Sequence, residues 1–342
     1  MEAKIYSIVA REILDSRGNP TVETTVILAS GYRGTASVPS GASLGKYEAV
    51  ELRDHDEKRY NGMGVLGSVA NVNRSIAPAV TGKDAANQGE IDKQLVDLDG
   101  TPDKRNLGAN SILSVSLAVA AAAAGAARLP LYRYLNALFT PFLPTRIERM
   151  PTPIFNIING GKHGAGNLDF QEFQVVPAMN KSYATALQMG VELYQSVKKI
   201  LLYRNAIHSV GDEGGFAPDL FKNVDAVEIL MEGIQQTPYR YGTDVFLGLD
   251  IAASHFQKDK GYQIKDQAGA FTAPAFIQYL VDLHKKYRLL ILEDPLDEDD
   301  WENWRRITAE LGAEILVVGD DLLATNPELL KRAIAEHACS AI

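Results

Sequence analysis

At 342 residues the chain is longer than one average domain, and its content of 46% hydrophobic and 23% charged residues is typical of globular proteins. A formal charge of −9 argues against the basic surface with which proteins hold nucleic acid or an anionic membrane. The single cysteine, Cys339, excludes an internal disulfide and fits a reducing compartment. Because the amino terminus shows no secretory signal pattern, we expect a cytoplasmic protein.

The first 138 residues combine strand patterns with helical patterns. Three segments alternate as strands do and are separated by turn residues: 4–9, 21–26 and 32–38. Helical periodicity follows in four segments: 65–76, 88–98, 109–127 and 131–138. The apolar run 112–127 contains serines and a glycine and is shorter than the roughly 18 residues of a membrane span, so we expect a buried helix. The pattern predicts an α+β domain over residues 1–138 with an antiparallel meander.

A proline-rich linker is predicted at residues 139–150, and the pattern changes after it. Short apolar runs occur at 154–158, 173–176, 245–249, 289–292 and 315–318. They alternate with helical segments at 183–203, 225–235, 274–287, 301–311 and 327–337. Alternation of this kind predicts a mainly parallel sheet over residues 151–342, either an open doubly wound sheet or a closed barrel.

Carboxylates follow three of the predicted strands directly, at Asp250, Glu293 and Asp320. In a barrel the carboxyl ends of the strands meet at one face, where catalytic groups lie. Converging carboxylates suit Mg²⁺, so we interpret these three residues as metal ligands. The alternative is that each acid caps the following helix, which does not explain Glu293. For the remaining acids of these segments we keep the helix-capping interpretation: Asp294, Asp297 to Asp300 and Asp321.

Three glycine-rich loops are candidate parts of a binding site. Glu213 lies between glycines at 211–215 and is either a general acid or part of a solvated turn. The loop 159–166 has the composition of a mobile lid and carries His163, with the polar pair Gln171 and Glu172 behind it. A histidine in such a loop is more often simply exposed. The loop 38–45, which contains Ser43, could cover a phosphate or turn a hairpin.

Together these motifs resemble the enolase family along the whole chain. The resemblance is carried, in order, by DSRGNPTVE (15–23), SGAS (40–43), GDEGG (211–215), EDP (293–295) and GDDL (319–322). It implies an amino-terminal α+β domain followed by a β/α barrel whose first turns are irregular. It also implies a lyase of glycolysis, phosphopyruvate hydratase, which converts 2-phosphoglycerate to phosphoenolpyruvate and water, with two Mg²⁺ ions per active site and a homodimeric assembly.

The resemblance also implies a role for each site residue. Asp250, Glu293 and Asp320 would bind the first Mg²⁺, and Ser43 would help to hold the second Mg²⁺ and the substrate. Glu213 would be the proton donor. The remaining predicted residues, His163, Gln171 and Glu172, would line the substrate pocket, with Glu172 supporting Glu213.

The sequence departs from the family pattern in three respects. The family's base is a lysine on the strand after Asp320, and the 342 residues stop where that strand should start. We therefore expect an incomplete barrel, and a fragment that is inactive alone, in preference to a natural short form. Leu44 and Lys162 replace a hydroxyl and a small residue, respectively, which implies altered loop closure at most.

Two other functions stay open at this stage. A racemase or an ammonia lyase of the same superfamily would share the three acids, but the loops around Glu213 and Ser43 favour enolase itself. A non-catalytic binding protein with a secondary cell-surface or secreted pool is the alternative from another class. No basic patch or amphipathic anchor supports it.

Overall fold

The computed structural model describes residues 3–41, 45–142, 147–164, 168–211, 213–258 and 261–342. The chain divides into two compact units. The first comprises Met1–Gly41 and Glu48–Arg149, and the second comprises Ala42–Tyr47 and Met150–Ile342. Each unit has its own cluster of buried apolar side chains.

The first unit begins with an antiparallel meander of three strands. They are β1 (Ile5–Leu14), β2 (Pro20–Leu28) and β3 (Arg33–Val38), in the order β1-β2-β3. Burial alternates along β2 and β3, as expected when one face of a sheet covers a core. The helices that follow are α1 (Leu66–Asn71), continued by a π-helical turn at Val72–Ile76 into α2 (Ala77–Val80), then α3 (Gln88–Asp99), α4 (Ala109–Ala126) and α5 (Leu131–Phe139). The predicted α+β architecture is confirmed.

Helix α4 packs directly on this sheet. Gly34 of β3 allows the close approach, because a Cβ atom there would lie 2.2 Å from the carbonyl oxygen of Ala118. The hydroxyls of Ser114 and Thr24 share a buried hydrogen bond of 2.7 Å. By length and composition α4 could cross a membrane, with a mean hydropathy of 1.6, but 56% of it is buried. These contacts identify α4 as a core helix of the first unit, as predicted.

Five strands form the central sheet of the second unit, within the part of the chain that the structure describes. They are β4 (Phe155–Asn159), β5 (Glu172–Pro177), β6 (Val245–Asp250), β10 (Ile291–Glu293) and β11 (Leu316–Val318), in the order β11-β10-β6-β5-β4. Among the described residues the sheet is open, with β4 and β11 as the outermost of its five strands, which confirms the expected incomplete barrel.

The prediction of a mainly parallel sheet is wrong for its first half. β4 pairs antiparallel with β5, and β5 pairs antiparallel with β6, whereas β6, β10 and β11 are parallel. The connections explain the directions. In the part of the chain that the structure describes, no α-helix separates β4 from β5, and two helices, α6 (Tyr183–Tyr203) and α7 (Asn223–Gln235), separate β5 from β6. A single crossover helix, which makes neighbouring strands parallel, first occurs after β6.

The remaining elements cover this sheet. Single helices, α8 (Ala273–Tyr287) and α9 (Trp301–Leu311), make the two parallel crossovers, and α10 (Pro327–Glu336) follows β11. The core combines strand residues such as Phe173 and Leu249 with helix residues such as Phe276 and Trp304. A small antiparallel sheet was not predicted; its strands are β7 (Gln257–Lys258), β8 (Gly261–Tyr262) and β9 (Phe271–Thr272).

Candidate active site

One row of residues crosses the central sheet of the second unit. Reading from β4 to β11, the Cα partners are Asn159, Glu172, Asp250, Glu293 and Val318. Neighbours in register point their side chains to the same face of a sheet, so the three carboxylates of this row lie side by side. The row lies at the carboxyl ends of the parallel strands, and Asp320 follows β11 by two residues. The structure thus brings the predicted strand-end acids to one edge.

Asp250 is the most deeply buried carboxylate of the row, with 6% of its surface exposed. Burial raises its pKa well above the usual range, and the charges of Glu293, Asp294 and Glu172 raise it further. Nε2 of Gln171 donates a hydrogen bond of 3.1 Å to Oδ2 of Asp250. Oδ1 has no partner among the described residues, and a proton or a cation would satisfy it.

Glu293 and Asp320 lie in one acidic group together with Asp294. One carboxylate oxygen from each of the three lies within 4.8 Å of the others. Burial, and next the charge of Asp320, raises the pKa of Glu293 to about 7. Asp250 is outside this group and next to it in register, at the position opposite Glu293.

Asp294 has a role that the sequence interpretation missed. Its side chain is buried, and its φ of 39° lies in the left-handed region. Oδ1 and Oδ2 accept hydrogen bonds from the backbone N–H groups of Asp320 and Asp321, at 3.1 and 2.8 Å. The expected helix-capping role of Asp294 is therefore wrong, because this carboxylate binds the turn that carries Asp320.

Glu172, Glu213 and His163 form a second group, with one ligand atom from each within 4.8 Å of the others. Nδ1 of His163 lies 3.0 Å from Oε2 of Glu213, an ion-pair distance, although neither ring nitrogen makes a hydrogen bond of good geometry to the described residues. Contact with His163 lowers the pKa of Glu213, whereas burial and contact with Glu213 raise the pKa of Glu172 to about 8. Within this pair the protonated form is thus favoured at Glu172 and the charged form at Glu213.

His163 is buried, in contrast to the exposure that is usual for a histidine in such a loop. It ends a short 3₁₀ turn, Gly161–His163, and 7% of its surface is exposed. Gly211 makes room for it, because a Cβ atom at residue 211 would lie 2.3 Å from the carbonyl oxygen of His163. The turn thus directs the imidazole into the site.

Two amides complete the group and were not predicted. Nε2 of Gln174 donates to Oε2 of Glu172 at 2.9 Å, and Nδ2 of Asn156 donates to Oε2 of Glu213 at 3.2 Å. Gln174 is two residues after Glu172 on the same face of β5, which is a spacing that the sequence could have revealed. Several buried acceptor oxygens here have no partner among the described residues: those of Asn156, Asn159, Gln171 and Gln174.

Ser43 and Leu44 lie outside the described residues. The chain on either side of them is anchored. Ser40 is held within the first unit by Arg53, whose guanidinium donates 2.6 Å to its Oγ. Within the second unit, Nζ of Lys46 lies 2.6 Å from Asp299, and the backbone N–H of Lys46 donates 3.2 Å to Glu298. Glu298 and Asp299 thus bind Lys46 instead of capping α9, whose N-cap is Asp300.

The donor atoms of this edge fit a hard divalent cation. They are carboxylate oxygens, which Mg²⁺ prefers, and the buried oxygens without partners would be satisfied by a cation and its water. Like-charged carboxylates this close are unfavourable unless a proton or a metal neutralises them. Asp250, Glu293 and Asp320 could supply such ligands.

A β/α sheet with clustered acids at the ends of its strands is the arrangement of a β/α-barrel protein with a candidate metal site. Residues 5–135 match the family described as Enolase, N-terminal domain, and residues 147–342 match Enolase, C-terminal TIM barrel domain. The chain therefore belongs to the enolase family, a family of metal-dependent lyases.

Proposed function

We propose that the protein catalyses the Mg²⁺-dependent, reversible dehydration of 2-phosphoglycerate to phosphoenolpyruvate. The observation that carries this proposal is the in-register row of Glu172, Asp250 and Glu293 beside Asp320. We further propose that it acts in glycolysis and gluconeogenesis in the cytoplasm, as a homodimer.

In this proposal Asp250, Glu293 and Asp320 hold one Mg²⁺, and Ser43 contributes to the site of a second. Bound Mg²⁺ would stabilise the negative charge that builds up on the substrate carboxylate when the neighbouring carbon loses its proton. Gln171 orients Asp250 through its 3.1 Å hydrogen bond. Asp294 orients Asp320 through its backbone N–H.

The departing hydroxyl needs a proton, and the pair Glu172 and Glu213 supplies it in this proposal. In this proposal the pair shares one proton, held on Glu172, because contact with His163 lowers the pKa of Glu213 and burial raises that of Glu172. Glu213 can donate to the leaving group once that proton passes to it. A change in the position of His163 would favour this transfer, which gives the buried imidazole a function. Gln171 and His163 would also contact the substrate.

We propose that the base which removes the substrate proton is a lysine outside these 342 residues. The residues described above would then form the metal and general-acid half of the site. Because the base is separate from the metal ligands in this proposal, metal binding and turnover can be measured separately.

The test measures phosphoenolpyruvate by its ultraviolet absorbance, for the 342-residue chain and for the natural reading frame, with Mg²⁺ and with EDTA. We expect Mg²⁺ to bind both proteins and turnover to require the lysine-bearing continuation. Glu213→Gln should abolish turnover, whereas Glu328→Gln, an exposed acid on α10, should not. A complete reading frame that binds Mg²⁺ but gives no product would contradict the proposal and favour the non-catalytic alternative.

A further inference from the structure

A cavity lies in the first unit, between α3, α4 and α5. Its volume is about 610 Å³, within the roughly 300–1,000 Å³ of small-molecule sites. Leu117, Leu135 and Phe139 line it and are 42%, 37% and 64% exposed. Apolar side chains in a concave surface gain free energy when a ligand covers them. The carboxylate row of the second unit makes no contribution to this cavity.

The polar wall of the cavity contains acceptors without matching donors. Nε2 of Gln88 donates to Oδ1 of Asp92 at 2.9 Å, and the hydroxyl of Ser116 donates to the same oxygen at 2.7 Å. These bonds determine the orientation of the Gln88 amide, because a carboxylate only accepts. Oε1 of Gln88 is consequently left buried and without a partner among the described residues.

The charge of the wall is negative. Its lining includes Asp92 and Glu90 but no lysine, arginine or histidine in the part of the chain that the structure describes. Glu90 is at the rim, where Lys83 lies 3.4 Å from its Oε1. Asp92 has only the neutral donors Gln88 and Ser116 in its described contacts. A ligand that complements this wall carries a positive charge and N–H donors.

We propose that this cavity is a binding site for a small amphipathic cation, a primary ammonium or guanidinium group on an aromatic or aliphatic body. The charged head donates to Asp92, and the apolar body covers Leu117, Leu135 and Phe139. The site is independent of the proposed dehydration. Its ligand would therefore bind whether or not the chain is catalytically active.

The test is an NMR titration of the 342-residue chain with phenethylammonium. Two probes of similar shape serve as controls: neutral 2-phenylethanol and anionic 3-phenylpropanoate. We expect saturable shifts of amide resonances in α3, α4 and α5 with the cation, binding at least about threefold weaker for the alcohol, and none for the anion. Equal affinity for the cation and the alcohol would overturn the proposal. Shifts that depend on protein concentration would also overturn it, since they would indicate self-association through this face.

Variants separate the two parts of the site. Leu117→Trp should fill the cavity and abolish binding, and Asp92→Asn should reduce the affinity for the cation to that for the alcohol. Because Asp92→Asn also disturbs Gln88 and Ser116, Glu90→Gln provides a milder change at the rim, for which we expect a loss of about two- to fivefold. Asp97→Asn, an exposed position on the same helix outside the cavity, is the matched control. Unchanged affinity in Leu117→Trp would place the ligand elsewhere.

Discussion

The carboxylate of Asp294 holds the backbone of Asp320 in place. Oδ1 of Asp294 accepts the N–H of Asp320 at 3.1 Å, and Oδ2 accepts the next N–H, that of Asp321, at 2.8 Å. Asp294 is itself next to Glu293 in the chain. Two of the proposed metal ligands are therefore coupled through one buried side chain whose backbone has a left-handed φ.

Asp294→Asn should weaken Mg²⁺ binding and destabilise the fold. An amide keeps the shape but offers one acceptor oxygen for two N–H groups, and the lost hydrogen bond in a buried site costs about 1–3 kcal/mol. Calorimetric titration with Mg²⁺ and urea unfolding measure the two effects. The control is Asp282→Asn on the exposed face of α8, which should change stability by less than about 0.5 kcal/mol. Unaltered Mg²⁺ affinity in Asp294→Asn would show that the turn at Asp320 does not need this carboxylate.

Gly34→Ala should be strongly destabilising. The new Cβ atom would lie 2.2 Å from the carbonyl oxygen of Ala118 and 2.2 Å from the backbone nitrogen of Ala122, so α4 would have to move away from the sheet. We expect a loss of about 3 kcal/mol or more, measured by thermal or urea unfolding. In Gly89→Ala the new Cβ meets no atom within 4 Å. That control should be neutral or stabilising by about 0.5–1 kcal/mol, since alanine is the better helix former.

Asp99 should make the first unit sensitive to acid. Burial alone would raise its pKa, but hydrogen bonds from Thr101, Asn106 and Leu107 outweigh this effect and lower the pKa. Because the folded pKa lies below the unfolded value of about 3.9, the stabilisation is present above that pH and is lost as the pH falls through the folded pKa.

Asp99→Asn should accordingly lower the free energy of unfolding by about 1–3 kcal/mol at neutral pH. On acidification, the free energy of unfolding of this variant should fall less than that of the unaltered protein. Urea unfolding at pH 7 and at pH 3 measures both. Asp97→Asn on the same helix is exposed and paired only with Lys93, so it should behave like the unaltered protein. If the free energy of unfolding falls equally with pH in Asp99→Asn and in the unaltered protein, this carboxylate is not responsible for the acid sensitivity.

Much of this architecture follows from sequence periodicity. The predicted limits of α6 and α9 agree with the structure because both helices have long, regular apolar stripes. Strand-end acids could be recognised because apolar runs precede them. Whether these acids lie side by side depends on the register of the strands, which the sequence does not contain. The structure shows that Glu293 lies opposite Asp250.

Other features depend on contacts that no local pattern contains. The N–H groups that bind Asp294 lie 26 and 27 residues further along the chain. Strands β7 to β9 have two residues each, too few for an alternating pattern. The pKa order of Glu172 and Glu213 depends on the position of His163, which comes from a loop about 50 residues before Glu213 in the sequence.

Glu172→Gln should stabilise the metal-free protein at alkaline pH. Burial, and contact with Glu213, raises the pKa of Glu172 to about 8, above its unfolded value of about 4.3. Its contribution to stability is therefore present below the unfolded pKa and is lost as the pH rises through about 8. A glutamine resembles the protonated acid and removes this loss. The free energy of unfolding of both proteins, measured in EDTA between pH 5 and pH 9, tests the direction of this change.

Glu213→Gln is the matched control, because the pKa of Glu213 is lowered by His163. This substitution should destabilise the metal-free protein at neutral pH, opposite to Glu172→Gln. If both variants shift stability in the same direction, the proton of the pair does not lie on Glu172.

Gln174→Met should move Mg²⁺ binding to higher pH. Nε2 of Gln174 donates to Glu172 at 2.9 Å, and its hydrogen bond also lowers the pKa of Glu293. Methionine keeps a similar volume but donates nothing, so the charged forms of both acids become less favourable and their pKa values rise. Protons then compete with Mg²⁺ over a wider pH range. The measurement is the Mg²⁺ affinity at several pH values, with Gln195→Met, an exposed position on α6, as control. An unchanged pH midpoint would mean that Gln174 only fills space between the strands.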